Sequence, residues 1–143
     1  TTGSKRNKLL QKATGDYIVY IDDDDKVSSD YIKLLLENIA FAPDVIVFDA
    51  VRYHNGKFDR PVSYGIEYGH DSNTAARYFR MPNHLMCVKR ELALMVPFKD
   101  VNFGEDSDYA KRLLPLLKKQ ERINEVLYEY WYDDKVTETA NRK

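Results

Sequence analysis

A single cysteine in 143 residues rules out an intramolecular disulfide. That residue, Cys87, lies in the apolar run Leu85-Met86-Cys87-Val88, where a buried and inert thiol is expected. Such cysteine usage fits a reducing compartment, and a cytoplasmic location is the expectation. No apolar stretch approaches the roughly 20 residues that span a bilayer, and no signal-peptide hydrophobic region follows Thr1-Thr2-Gly3-Ser4-Lys5-Arg6. Charge of one sign is also lacking, since 22 basic residues face 23 acidic ones. No global field steers the chain toward nucleic acid or an anionic membrane, so function must sit in a local site. No internal repeat or low-complexity segment is present. What is present, 43% hydrophobic residues with 13% aromatic, suffices for one packed core.

The pattern along the chain alternates helix and strand. Ser4 can cap a helix carrying Leu9, Leu10 and Ala13 on one face and stopping at Gly15. Tyr17-Ile18-Val19-Tyr20-Ile21 then reads as a strand covered on both faces, ending at Asp22-Asp23-Asp24-Asp25. Ser28 or Ser29 caps a second helix, with Tyr31, Leu34, Leu35 and Ile39 at helical spacing until Pro43. Val45 to Tyr53 is a second strand, and Asn55-Gly56 is the turn of a hairpin returning through Phe58. Residues 61–69 read mostly as loop, and Asp71 or Ser72 is expected to cap a short helix to Arg80. A third strand from His84 to Lys89, a short helix from Glu91 to Met95, a helix after Gly104 that Pro115 must kink or restart, and a last strand from Val126 to Tyr132 complete the reading.

Four adjacent carboxylates at a strand end repel one another unless water or a divalent cation neutralises them. Taken alone, the run is equally well a solvated acidic loop. A calcium EF-hand is excluded, because counting from Asp22 puts Val27 where Gly is needed and Lys33 where Glu is needed. A magnesium or manganese site remains, in which one or two aspartates anchor a cation that keeps places open for phosphate oxygens. A second acidic segment, Gly104-Glu105-Asp106-Ser107-Asp108, opens the late helix; acids in a first turn are also what the macrodipole favours in any helix.

Three segments in order resemble the family 2 glycosyltransferases: Gly3-Ser4-Lys5-Arg6-Asn7-Lys8-Leu9-Leu10, Ala13-Thr14-Gly15-Asp16-Tyr17-Ile18 and Ile21-Asp22-Asp23-Asp24-Asp25. The stretch Phe103 to Leu113 is similar to that family's Gly-Glu-Asp segment. The resemblance implies an α/β, GT-A-like (Rossmann-like) mixed sheet flanked by helices over residues 1–132, with 133–143 a polar tail. It implies transfer of a sugar, with inversion, from a nucleotide-diphosphate sugar to an acceptor hydroxyl, with Mn2+ or Mg2+ as cofactor. By position, Asp24 is the direct metal ligand and Asp22 faces the ribose or a metal-bound water, although Asp23 and Asp25 share the spacing. Arg6 matches an arginine near the donor, and Asp106 matches the base. His84 can face phosphates or be structural, and Glu105 and Trp131 are weaker candidates for sugar contact. His54 and His70, in polar turn-like segments, are expected to be exposed.

The resemblance covers about the later two-thirds of the family domain. It therefore implies that the first nucleotide-binding strands are absent here, that the isolated chain can be inactive, and that the exposed edge at Tyr17 to Ile21 drives homo-oligomerisation. Two other readings stand beside it. Asp23-x-Asp25-x-Val27 after a buried strand also satisfies the nucleophile motif of haloacid-dehalogenase-like phosphotransferases, and a GT-A-like module can bind without catalysing.

Overall fold

The structure, a computed structural model, describes residues 1–135. Most of the expected polar tail, residues 136–143, lies outside that range.

Helix α1 (Thr2–Lys12) is capped by Thr1, whose side chain accepts a hydrogen bond from the Ser4 amide at 3.1 Å. The cap thus lies three residues before the expected Ser4, and the helix ends at Ala13 in an extended conformation. Gly3 belongs inside α1 because the helix runs against the 99–101 segment. A β-carbon there would lie 1.8 Å from the Lys99 carbonyl oxygen, and the Gly3 amide donates to the Val101 carbonyl.

The sheet is built on strand β3 (Val45–His54), whose first four residues are all buried. A continuous apolar run buried on both faces is the mark of a central strand. β3 pairs in parallel over its whole length with β8 (Gln120–Tyr132), which starts six residues before the expected Val126. On its other side β3 pairs first with β7 (Cys87–Lys89) and then with β4 (Lys57–Tyr64). The β3–β4 turn holds Asn55 at φ 51° and Gly56 at φ 81°, the two positive angles that an Asn-Gly hairpin requires.

Two expectations fail along β4 and beyond. Residues 61–64 are strand rather than loop. Pro61 is accommodated because the neighbour on that side, β6 (Tyr78–Arg80), begins to pair only at Val62. The helix expected from Asp71 to Arg80 is instead β5 (Ser72–Asn73), a turn and β6, paired antiparallel. The Thr74 hydroxyl accepts from the Ala76 and Arg77 amides and closes the turn, and the β-favouring Tyr78 and Phe79 follow it.

β1 is only Tyr17–Ile18 and pairs with β7. The expected extension to Ile21 stops because the chain before β7 turns at Asn83, leaving a single backbone bond, from the Tyr20 amide to the His84 carbonyl. β2 (Lys26–Val27) pairs with β8. Helix α2 (Tyr31–Ile39) covers β3 and β8, its Tyr31 ring edge-on to Phe48 at 5.8 Å. Helix α3 (Arg90–Leu94) follows β7, and α4 (Glu105–Leu113) is followed by a 3-10 turn at Leu114–Leu116, where Pro115 ends the α-helix. Tyr20, Phe98 and Tyr109 bind α4 to the sheet, Phe98 stacking on Tyr109 at 4.3 Å. Cys87 is 2% exposed, and burial pushes its thiol up to about 12, so it is inert as expected.

Candidate active site

The acidic run forms a tight turn between β1 and β2, closed by the Asp25 amide donating to the Asp22 carbonyl. Its four carboxylates part company. Asp25 turns under β8, accepting from the Tyr128 hydroxyl and from the Trp131 amide at 2.8 Å. Burial outweighs those hydrogen bonds and lifts its carboxyl to about 7. Asp22, Asp23 and Asp24 instead line a cavity of about 820 Å³.

Asp22 sits at the centre of a polar cluster. His84 Nε2 lies 3.4 Å from Asp22 Oδ2, and Arg6 Nη2 donates to Asp22 Oδ1 at 3.3 Å. Burial raises the Asp22 carboxyl, but the His84 hydrogen bond and the charges beside it prevail and hold it below the usual carboxylate range. Arg6 is a bridge: Nη1 donates to Glu105 Oε1 at 2.7 Å, and Nη2 also approaches His84 Nε2 at 3.2 Å. The guanidinium thus joins α1, the acidic turn and the first turn of α4. His84 is 5% exposed, and its Nδ1 is buried without a partner among the described residues.

The three acids of α4 separate in the same way. Glu105 is buried against Arg6, and burial first, then the neighbouring Asp106 charge, raise its carboxyl against the pull of that arginine. Asp108 is taken by Arg112 and Lys99. Asp106 lines the cavity, accepts from the Ser107 amide at 2.8 Å, and has no cationic partner among the described residues. The same cavity therefore brings together Arg6, Asp22, Asp24, His84, Glu105 and Asp106.

Trp131 is not among its lining residues. Side chains alternate along β8, so Tyr130 reaches the cavity while Trp131 packs away from it, stacked on Tyr53 at 4.3 Å with Lys26 above the ring. His54 and His70 are exposed, and His54 pairs with Asp134. Lining residues that the sequence did not single out include Arg52, Tyr64, Arg80 and Asn83. Two of them fall in segments read as loop or helix, where no face could be assigned.

Among the described residues no three side chains from His, Cys, Asp and Glu gather as a metal cage. The arrangement does fit a hard cation held by few protein ligands. Asp24 is exposed in the cavity with no cationic partner among the described residues, next to an Asp22 whose carboxylate is already kept ionised.

The model of Glycosyl transferase family 2 matches residues 2–96, more than half of the chain. The chain belongs to that family. It is 39% identical over 51 residues to the succinoglycan biosynthesis protein ExoM of Rhizobium meliloti (strain 1021), a match covering 36% of this chain and 16% of ExoM. Its fold is similar to that of S. aureus TarS, with a TM-score of 0.65 at 16% identity over 90% of this chain and 24% of TarS. TarS 1-349 in complex with UDP gives a TM-score of 0.65 at 14% identity, over 92% of this chain and 40% of that one. The chain thus spans well under half of these relatives' lengths. The fold is a GT-A-like mixed sheet flanked by helices, and the phosphotransferase reading of Asp23 and Asp25 is set aside by the family and by the burial of Asp25 under β8. Among the described residues no helix is long and apolar enough to cross a membrane.

Proposed function

We propose that the chain carries the donor-phosphate and catalytic-base part of a metal-dependent, inverting glycosyltransferase that uses a nucleotide-diphosphate sugar. The observation that carries this reading is one cavity lined by Asp22 and Asp24 from the β1–β2 turn and by Asp106 from the start of α4. Asp24, with help from Asp22, is the assigned anchor for Mn2+ or Mg2+. The turning away of Asp25 supports that pair over Asp23 and Asp25. When bound, the cation supplies positive charge to the leaving diphosphate.

Asp106 is the assigned base. As the acceptor oxygen bonds to the anomeric carbon, its proton passes to the Asp106 carboxylate, and the bond from that carbon to the diphosphate oxygen breaks with its electron pair going to the diphosphate. Attack from the face opposite the leaving group inverts the anomeric centre. Glu105 and Asp108 are poorer bases, since each is held by a cation. Arg6 positions: it ties Glu105, beside the base, to Asp22, beside the metal ligand. The neighbour TarS 1-349 was solved with UDP, which supports a uridine nucleotide as the first donor to try.

The test is transfer from a nucleotide sugar by the enzyme carrying this segment. Asp106→Asn is expected to lower kcat by about a hundredfold or more with nucleotide affinity unchanged, because a base acts only in the transition state. Full activity in Asp106→Asn, or a product of retained configuration, would contradict the assignment.

A further inference from the structure

Part of the cavity is lined by arginines that the donor assignment above does not use. Three guanidiniums pack around the ring of Tyr78: Arg60 at 4.1 Å from its centroid, Arg80 at 5.0 Å and Arg52 at 5.7 Å. Among the described residues a single carboxylate, Asp59, is within ion-pair distance of any of them. It takes Arg52 and Arg60 and accepts from the Tyr78 hydroxyl at 2.7 Å. Arg80 has no carboxylate among the described residues. Its protein partners are the Ser72 and Phe79 carbonyls and Asn73 Oδ1, all on Nη1. Three positive charges therefore face one negative charge, and two of the three, Arg52 and Arg80, line the cavity with Tyr64, Tyr78 and Tyr130.

An uncompensated guanidinium fixed by carbonyl oxygens is a preformed partner for a planar or tetrahedral oxyanion. The donor diphosphate has its own assigned place beside Asp22 and Asp24, and those carboxylates repel any second anion entering the cavity unprotected. Arg80 and Arg52 offset that repulsion at another position. Resting on the transferase reading above, we infer that the acceptor is anionic: it carries a phosphate or carboxylate group that Arg80, backed by Arg52, holds while its hydroxyl lies at Asp106. Tyr64, Tyr78 and Tyr130 give the adjoining sugar ring flat surfaces and hydroxyls.

The experiment is an NMR titration of the 15N-labelled chain with glucose 6-phosphate, glucuronate and neutral glucose, and separately with UDP plus manganese. Both anionic sugars should bind at least about tenfold more tightly than glucose, with shifts centred on β6 and the Arg52 region. Arg80→Gln should remove that preference. Arg80→Lys, which keeps the charge, should retain most of it and shows that the loss is not one of folding. A preference for only one of the two anions identifies the group. Equal binding of the three sugars, no effect of Arg80→Gln, or displacement of glucose 6-phosphate by UDP would overturn the inference, the last by giving the arginines to the donor. Absence of UDP binding beside an intact, Arg80-dependent preference for anionic sugars would remove the donor-site assignment to Asp22 and Asp24 in this chain and leave the anion site standing.

Discussion

At the scale of single residues, the acidic groups of the cavity were legible because they sit at the ends of regular elements. Asp22, Asp24, Asp106, Arg6 and His84 were all named from the sequence and all line one cavity. Trp131 was misplaced. The sequence marks Val126 to Tyr132 as a strand but not which of its faces meets the cavity, and it is Tyr130 rather than Trp131 that does. Arg80 was passed over because its segment reads as a helix in the sequence, and Arg52 because nothing in the sequence says which face of its strand meets a cavity. Asp59 provides a test of the arginine cluster free of any donor. Burial raises its carboxyl, but the Tyr78 hydroxyl and the two arginines win and hold it below its ordinary value. A carboxyl depressed on folding contributes stability above the unfolded-state pKa and loses it as pH falls through the folded value. Asp59→Asn should therefore lower the melting temperature at pH 7 by a few degrees, roughly what one charged hydrogen bond contributes, and the gap should close below about pH 4. A gap that stays constant with pH would mean that the loss is one of packing.

At the scale of elements, apolar patterning located α2, β3 and β7, since continuous buried runs and helical spacing are strong signals. Weak local signals failed: β5 and β6 are two and three residues long, and a Thr74 turn decides them. Gly3 shows how an element positions the site. Its missing side chain lets α1 lie on the 99–101 segment, and from there Arg6 reaches Glu105. Gly3→Ala must push α1 outward, and a loss of roughly 1–3 kcal/mol of stability is expected. A thermal melt unchanged from wild type would show that the 99–101 loop yields freely. The edge of the sheet gives another prediction. β1 pairs with β7 on one side and with no other strand among the described residues, and Ile21 beyond it is 46% exposed. No charge or proline guards Tyr17 to Ile21, so the chain in solution is expected to self-associate through this region, and Val19→Lys to weaken that association. Light scattering across a concentration series decides it, and a monomer at high concentration would contradict it.

At the scale of the whole molecule, the account rests on a division of the cavity. The donor end is proposed at Asp22 and Asp24 and the reacting centre at Asp106, while Arg52 and Arg80 form a cationic region of the same cavity. The parts come from well-separated stretches of the sequence, and the Arg6 bridge ties the acidic turn to the first turn of α4. The most direct measurement is manganese-induced water-proton relaxation of the chain with and without UDP. If the acidic turn is a donor-phosphate site, the chain binds manganese weakly alone and more tightly with UDP, and Asp24→Asn, alone or with Asp22→Asn, abolishes the UDP-dependent part. The same relaxation in the Asp22→Asn plus Asp24→Asn variant as in wild type would contradict the account.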